Sequence, residues 1–134
     1  MRVILFALAG AGLAACSTAT EPPMRSADAQ AKYLRAIDGK VAGPTMNCLP
    51  SYSADDMQVI DDQTLVFRQS ASRVVVANLN GSCDNLGVPG FALLTRQPGG
   101  SGMCSGDIAQ VINTGSGMTA GSCVIGSFTP YTTP

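Results

Sequence analysis

Five cysteines constrain this chain more than any other feature of its sequence. One lies near the start at Cys16, and the others are spread along the chain at Cys48, Cys83, Cys104 and Cys123. No two of the later four are only a few residues apart, which is the spacing that zinc sites use. Without Cys16 the number is even, and an even number of well-separated cysteines is typical of disulfides in an oxidising compartment. The sequence therefore predicts a small fold held by two disulfides.

The segment before Cys16 explains why this cysteine stands apart. Arg2 precedes an uncharged, apolar run from Val3 to Leu13, which is too short to cross a bilayer, since a crossing takes about 20 residues. The tetrapeptide Leu-Ala-Ala-Cys that ends at Cys16 resembles the lipobox of bacterial lipoproteins. In such proteins the cysteine receives a diacylglyceryl group and becomes the first mature residue. We expect residues 1–15 to be a signal peptide and Cys16 to be lipidated, with palmitate as a typical acyl group.

A lipid anchor also implies a location. Each buried methylene group contributes about 0.8 kcal/mol, so two or three acyl chains hold a protein on a membrane permanently. Ser17 follows the cysteine, whereas an aspartate at this position resembles the signal for retention in the inner membrane. We expect a protein of the bacterial envelope that faces the periplasm, with the outer membrane favoured over the inner one.

The rest of the chain is predicted to be one small domain on a tether. Residues 16–25 are small, polar and proline-containing, as in an extended linker. Residues 26–40 are predicted to hold a short helix, because Ser26 suits the N-cap and Gly39 suits the end of a helix. Residues 41–134 are predicted to form a disulfide-linked β domain.

The pattern after the helix predicts a mainly β fold, with an antiparallel sheet or barrel of about six strands. Two strands are expected within 57–67, and others at 73–79, 91–96, 107–114 and 122–128. The tail that follows is expected to fray, because it contains two prolines.

The disulfide pairing is predicted from barrel closure. In a small barrel the first and last strands often pair, because closure removes exposed edges. Closure would bring Cys48 close to Cys123 and leave Cys83 to pair with Cys104. We therefore favour these two pairs among the three connectivities that four cysteines allow.

Composition argues against several classes of function. The formal net charge is −1 and charged residues make up 13% of the chain, which gives no reason to expect nucleic acid as a partner. The absence of histidine removes the Ser-His-Asp and Cys-His arrangements of hydrolases. We expect no cofactor, no metal and no catalytic activity.

Aspartates are the remaining candidates for chemistry. Asp61 and Asp62 follow Asp55 and Asp56 closely, and Asp107 comes after the third core cysteine. Two carboxylates can act as acid and base in glycan hydrolysis. Aspartate is also favoured in turns, where it accepts local backbone hydrogen bonds. The sequence names Asp61, Asp62 and Asp107 as a candidate polar site, with turn formation as the preferred interpretation.

Several blocks of the sequence together resemble a known family. They are CL at 48–49, VIDDQTLVF at 59–67, ANLNGSCDNLG at 77–87, MCSGDIAQVI at 103–112 and SCVIGSF at 122–128. They resemble the domain of unknown function 6491, a family of small proteobacterial envelope proteins. The resemblance covers residues 48–128 and brings no established activity. Family members often carry aromatic residues in the strand that here reads RVVVANL.

These observations lead to one hypothesis and two alternatives. The leading hypothesis is a non-catalytic binding or assembly module that is anchored to the membrane, with another envelope protein or a cell-wall polymer as its partner. The first alternative is a peptidoglycan or glycan hydrolase that uses aspartates. The second is a carrier that holds a small ligand inside the barrel.

Overall fold

The computed structural model describes residues 24–50, 56–96 and 102–134. The predicted signal peptide, the predicted lipidation site Cys16 and most of the predicted tether lie outside these ranges. Within them, no helix is long and apolar enough to cross a membrane.

One α-helix and nine β-strands make up the described fold. In chain order they are α1 (Ala27–Ile37), β1 (Val41–Ala42), β2 (Cys48–Leu49), β3 (Met57–Asp61), β4 (Thr64–Arg68), β5 (Arg73–Asn80), β6 (Phe91–Thr95), β7 (Met103–Cys104), β8 (Ile108–Asn113) and β9 (Thr119–Thr132).

Six strands form a curled antiparallel sheet in the order β3-β4-β5-β9-β8-β6. β1 pairs with the end of β9, and β2 and β7 form a separate two-stranded ribbon. The predicted class, mainly β with a short N-terminal helix and about six antiparallel strands, is confirmed. Among the described residues the end strands β3 and β6 do not pair with each other, so the sheet is a half-barrel.

The last strand is the longest, with 14 residues, and it lies at the centre of the sheet. Its first part pairs with β8 and its later part with β5. The prediction that the tail frays is wrong, because Pro130 and Tyr131 pair with Val75 and Val74 of β5. Pro130 has no N–H to donate, but its carbonyl accepts a hydrogen bond from the backbone of Gly43 at 2.7 Å.

A bulge bends this central strand. Phe128 pairs with Ala77 and Ile125 pairs with Leu79, so β9 has one more residue than β5 between the two pairs. Such an extra residue bends a strand and increases its twist. Gly126 lies in the bulge, where a Cβ atom would overlap the carbonyl oxygen of Asn78. The position therefore requires glycine.

The inner face of the curled sheet carries the main core. It contains the two largest fully buried side chains, Phe67 and Phe128, with Leu65, Val75 and Ile125 around them. Residues that alternate with these on β4 and β5 point to the other face and pack under α1. This second cluster comprises Ala29, Ile60, Val66, Val74 and Val76. Because both faces are covered, the chain from Thr64 to Phe67 is buried without a break, which explains its continuous apolar run.

The helix begins where the sequence predicts. The side chain of Ser26 accepts a hydrogen bond from the backbone N–H of Ala29 at 3.2 Å, which satisfies a donor that the first turn leaves free. The helix ends at Ile37, and Gly39 follows with φ of +65°, a conformation that glycine adopts without strain.

Arg25 joins the start of the helix to the sheet. Its guanidinium donates to the Asp61 carboxylate at 2.9 Å and to the Thr64 hydroxyl at 3.0 Å, and it lies 4.3 Å from the ring centre of Tyr33. Tyr33 in turn shares a hydrogen bond of 2.9 Å with the Tyr131 hydroxyl. Burial, followed by this hydrogen bond, raises the pKa of Tyr33 to about 12. Arg25, the last residue of the predicted tether, is therefore part of the described fold.

Two disulfides form, as predicted, but the predicted pairs Cys83–Cys104 and Cys48–Cys123 are wrong. The structure joins Cys48 to Cys104 and Cys83 to Cys123, with Cα–Cα distances of 4.0 and 5.1 Å. The premise of barrel closure fails, because the strand that carries Cys48 belongs to the small ribbon, where Cys48 lies opposite Cys104. Cys83 follows β5, whose last residue Asn80 pairs with Val124, the neighbour of Cys123.

The bulge gives a test of the bend in β9. Gly126→Ala is expected to lower the free energy of unfolding by about 1–3 kcal/mol, because the added methyl group pushes against a backbone carbonyl. Urea denaturation measures the change. Gly115→Ala is the matched control, since its Cβ would lie 3.4 Å from the nearest atom, the Asn113 Oδ1. An equal loss in both variants would show that the bulge does not require glycine.

The contacts of Arg25 give a second test. Arg25→Gln is expected to lower the free energy of unfolding by about 1–2 kcal/mol, because it removes charge-assisted hydrogen bonds between groups that are largely shielded from water. Arg35→Gln on the exposed side of α1 is the control and should change stability by less than about 0.5 kcal/mol. Equal values for the two variants would mean that the contacts of Arg25 do not hold the helix to the sheet.

Candidate functional site

The two neighbouring aspartates of the predicted polar site lie at the turn between β3 and β4. Asp61 accepts hydrogen bonds from Arg25 and, at 2.9 Å, from the backbone N–H of Gln63. Asp62 accepts a hydrogen bond from the hydroxyl of Ser82, and its carbonyl accepts one from the backbone of Cys83 at 2.8 Å. The first carboxylate shapes the turn, and the second fastens it to the segment after β5.

Asp107 lies in a different part of the molecule, between β7 and β8. Its carboxylate accepts a hydrogen bond from the backbone N–H of Cys104 at 2.7 Å, and its own N–H donates to the carbonyl of the same residue at 3.1 Å. These contacts close the turn that follows the disulfide. They are the contacts that the turn interpretation predicts.

The three aspartates do not line one cleft. Asp61 and Asp62 border a depression next to Arg25, whereas Asp107 borders another depression with Arg96 and Ile108. Across the described parts of the chain, no three Cys, Asp or Glu side chains lie close enough to hold a metal ion. Asp61 and Asp62 thus share one depression, where both carboxylates already accept hydrogen bonds from neighbouring groups, and Asp107 lies apart from them.

The feature that sequence reasoning missed is an apolar groove between the two ends of the half-barrel, which we call the seam groove. Its volume is about 390 Å³. Met57 and Val59 of β3 form one wall, and Phe91 and Leu93 of β6 form the other. Val111 of β8, which is fully buried, lies at its base.

Strand alternation builds both walls of the seam groove. Successive side chains of a strand point to opposite faces, and in β6 the half-buried Phe91 and Leu93 alternate with the exposed Ala92 and Leu94. This alternation is visible in the sequence. What the sequence does not show is that β3 and β6 face each other, because that follows from the strand order of the whole sheet.

A loop between β5 and β6 forms one side of the groove. It includes Leu86, which packs on the core, and Val88, which is 45% exposed at the rim. Gly87 has φ of +78° and passes so close to Val59 that a Cβ atom would lie 2.9 Å from its Cγ1. The disulfide at Cys83 fixes the start of this loop to β9.

The comparisons with known proteins identify a family and no characterised relative. No curated protein and no solved structure matches the chain. One family model, described as a family of unknown function (DUF6491), matches residues 1–133. Since this match includes almost every residue, the chain belongs to the DUF6491 family.

Proposed function

We propose that the protein is a lipid-anchored, non-catalytic binding module of the bacterial envelope, and that its seam groove receives an extended segment of another envelope protein. The observation that carries the proposal is the position of the groove. It lies between two strands that end the sheet, with apolar side chains of both strands facing it.

Edge strands of this kind suit an extended partner. A strand with one neighbour presents its second row of backbone N–H and C=O groups outward, where another chain can pair with it. Among the described residues, β3 pairs with β4 alone and β6 with β8 alone. In strand addition the backbone supplies affinity and pockets for alternate side chains supply specificity. Met57 and Val59 are two residues apart on β3 and therefore face the groove on the same side of the strand.

The walls of the groove also favour binding energetically. The wall side chains are only partly buried, although they pack on the main core; they are Met57, Val59, Phe91 and Leu93. Burial of one large apolar side chain from a partner contributes about 1.5–3 kcal/mol.

The two alternatives are less well supported. A hydrolase needs two carboxylates about 5–10 Å apart across a substrate. Asp107 borders a different depression from Asp61 and Asp62, and the carboxylates of Asp61 and Asp107 accept hydrogen bonds from the backbone of their own turns. A carrier of small ligands encloses most of its ligand. The seam groove lies between β3 and β6, which do not pair with each other within the described ranges.

The predicted anchor places this groove near the membrane. Nine peptide steps separate Cys16 from Arg25, so the tether spans at most about 30 Å. Because Arg25 is fixed to the turn between β3 and β4, the sheet cannot move farther than this from the lipid. A partner at the same membrane is therefore within reach.

Lipidation is tested by mass spectrometry of the mature protein. The N-terminal peptide should begin at Cys16 and carry a diacylglyceryl group and an amide-linked acyl chain. A Cys16→Ser variant should keep its signal peptide and show no diacylglyceryl modification, because serine offers no thiol for the thioether bond. An unmodified Cys16 in the mature protein would refute the anchor.

The groove is tested by photo-crosslinking in intact cells. A photoreactive phenylalanine analogue at Val88, on the rim of the groove, should capture one defined envelope protein, because the partner segment lies against it. The same analogue at Met118, which is 70% exposed in the turn before β9, is the control and should capture nothing. Sequencing of the crosslinked peptide should find a segment with alternating apolar residues. No adduct at residue 88, or the same adduct at both positions, would refute the proposed site.

A further inference from the structure

A second cavity lies on the face of the sheet that carries the helix. Its volume is about 650 Å³, and it is bounded by the end of α1, by β3 and by the connection between β4 and β5. Three cationic side chains line it, Arg35, Lys40 and Arg68, together with one anionic side chain, Asp56. Three of the eight lysines and arginines of the chain thus face one cavity of a protein whose net charge is −1.

None of these cations forms an ion pair with a carboxylate of the described residues. The Arg35 Nε donates to the carbonyl of Ala31 at 3.3 Å, and the Lys40 Nζ donates to the carbonyl of Asp38 at 3.3 Å. Both contacts are exposed and long. Within the described ranges the single ion pair joins Arg25 to Asp61, so none of the three cations lies within 4 Å of a described carboxylate.

The charges of the described lining residues and of the helix end sum to a positive value. The C-terminal end of a helix carries about half a negative charge, and Asp56 adds one more. Three full positive charges exceed this sum by more than one unit. The base of the cavity includes Val66 and Val74, both of which are buried in the sheet. The cavity therefore combines a cationic rim with a partly apolar base.

We propose that this cavity binds a carboxylate-bearing peptide segment of a cell-wall polymer. Guanidinium groups bind carboxylates through paired, charge-assisted hydrogen bonds, and two of the three cations are arginines. A concave site suits a discrete group better than a flat bilayer. The cavity also lies at the end of α1 that is remote from the tether, about 16 Å along the helix.

Met57 of β3 borders both this cavity and the seam groove, and the other lining residues of the two sites differ. The choice of a cell-wall polymer as the source of the peptide rests on the lipid anchor of the proposed function, because the anchor locates the protein in the envelope. Binding of an acidic peptide to the cavity does not depend on that anchor.

The test is a calorimetric titration of the purified, detergent-solubilised full-length protein with acetylated tri-glutamate at low ionic strength. We expect saturable binding that weakens about tenfold in Arg35→Gln and in Arg68→Gln, because each variant removes one charge-assisted contact. Lys32→Gln, on an exposed position of α1 outside the cavity, is the matched control and should bind as the unchanged protein does. Raising the salt concentration to 0.15 M should weaken binding through screening.

Two further titrants separate the sources of an anionic group. Tri-glutamate binding that is absent, or equal in all variants, would overturn the proposal. Inorganic phosphate that binds as tightly, with the same dependence on the arginines, would show a general anion site and overturn the assignment to a peptide. If short-chain phosphatidylglycerol binds and the other two titrants do not, the cavity is a membrane-contact site and the proposal is overturned. The crosslink from residue 88 should persist in Arg35→Gln and Arg68→Gln, so failure of this site is distinguishable from failure of the groove.

Discussion

The structure depends on the two-sided pairing of β9. Its early residues bind β8, and its later residues bind β5, so that the sheet is joined through this one strand. The bulge at Gly126 lets both halves keep their register while the strand bends. On the side away from β5, the backbone of Ile125 pairs with the turn around Asp107, and that of Phe128 pairs with Met46. The last strand thereby also pairs with the segments around Met46 and Asp107. This pairing on both sides explains why the C-terminal segment, although it contains proline, lies at the centre of the sheet.

The disulfides stabilise the parts of the fold in which strand pairing is short. The ribbon of β2 and β7 contains two residue pairs, too few to be stable alone. Its Cys48–Cys104 bond spans a separation of 56 residues, and the Cys83–Cys123 bond spans 40. In the loop-closure model each bond stabilises the fold by about 4 kcal/mol. The second bond also fixes the loop that borders the seam groove, so an oxidising compartment supports both the fold and the shape of this surface.

Local properties were predictable from the sequence, and the global arrangement was not. The helix and the strands β3, β4, β5, β6 and β8 appear where the pattern places them, because each depends on residue propensities and alternation within a few positions. The disulfide pairing depends on strand order, and the assumption of a closed barrel gave the wrong partners. The same limit applies to the candidate site. The turn roles of Asp61 and Asp107 follow from neighbouring residues, whereas the seam groove arises from strands that are distant in sequence.

The half-barrel explains why this small domain presents two different surfaces. A closed barrel would bury the side chains of Met57 and Phe91 in a shared core, and it would leave no strand edge for a partner. Because the helix covers the opposite face at β3, β4 and β5, the sheet is stable without closure. Arg35 of the helix, Lys40 after it and Arg68 of β4 line the same cavity. The helix therefore covers the face opposite the seam groove and also borders the cationic cavity, so the same packing shapes both surfaces.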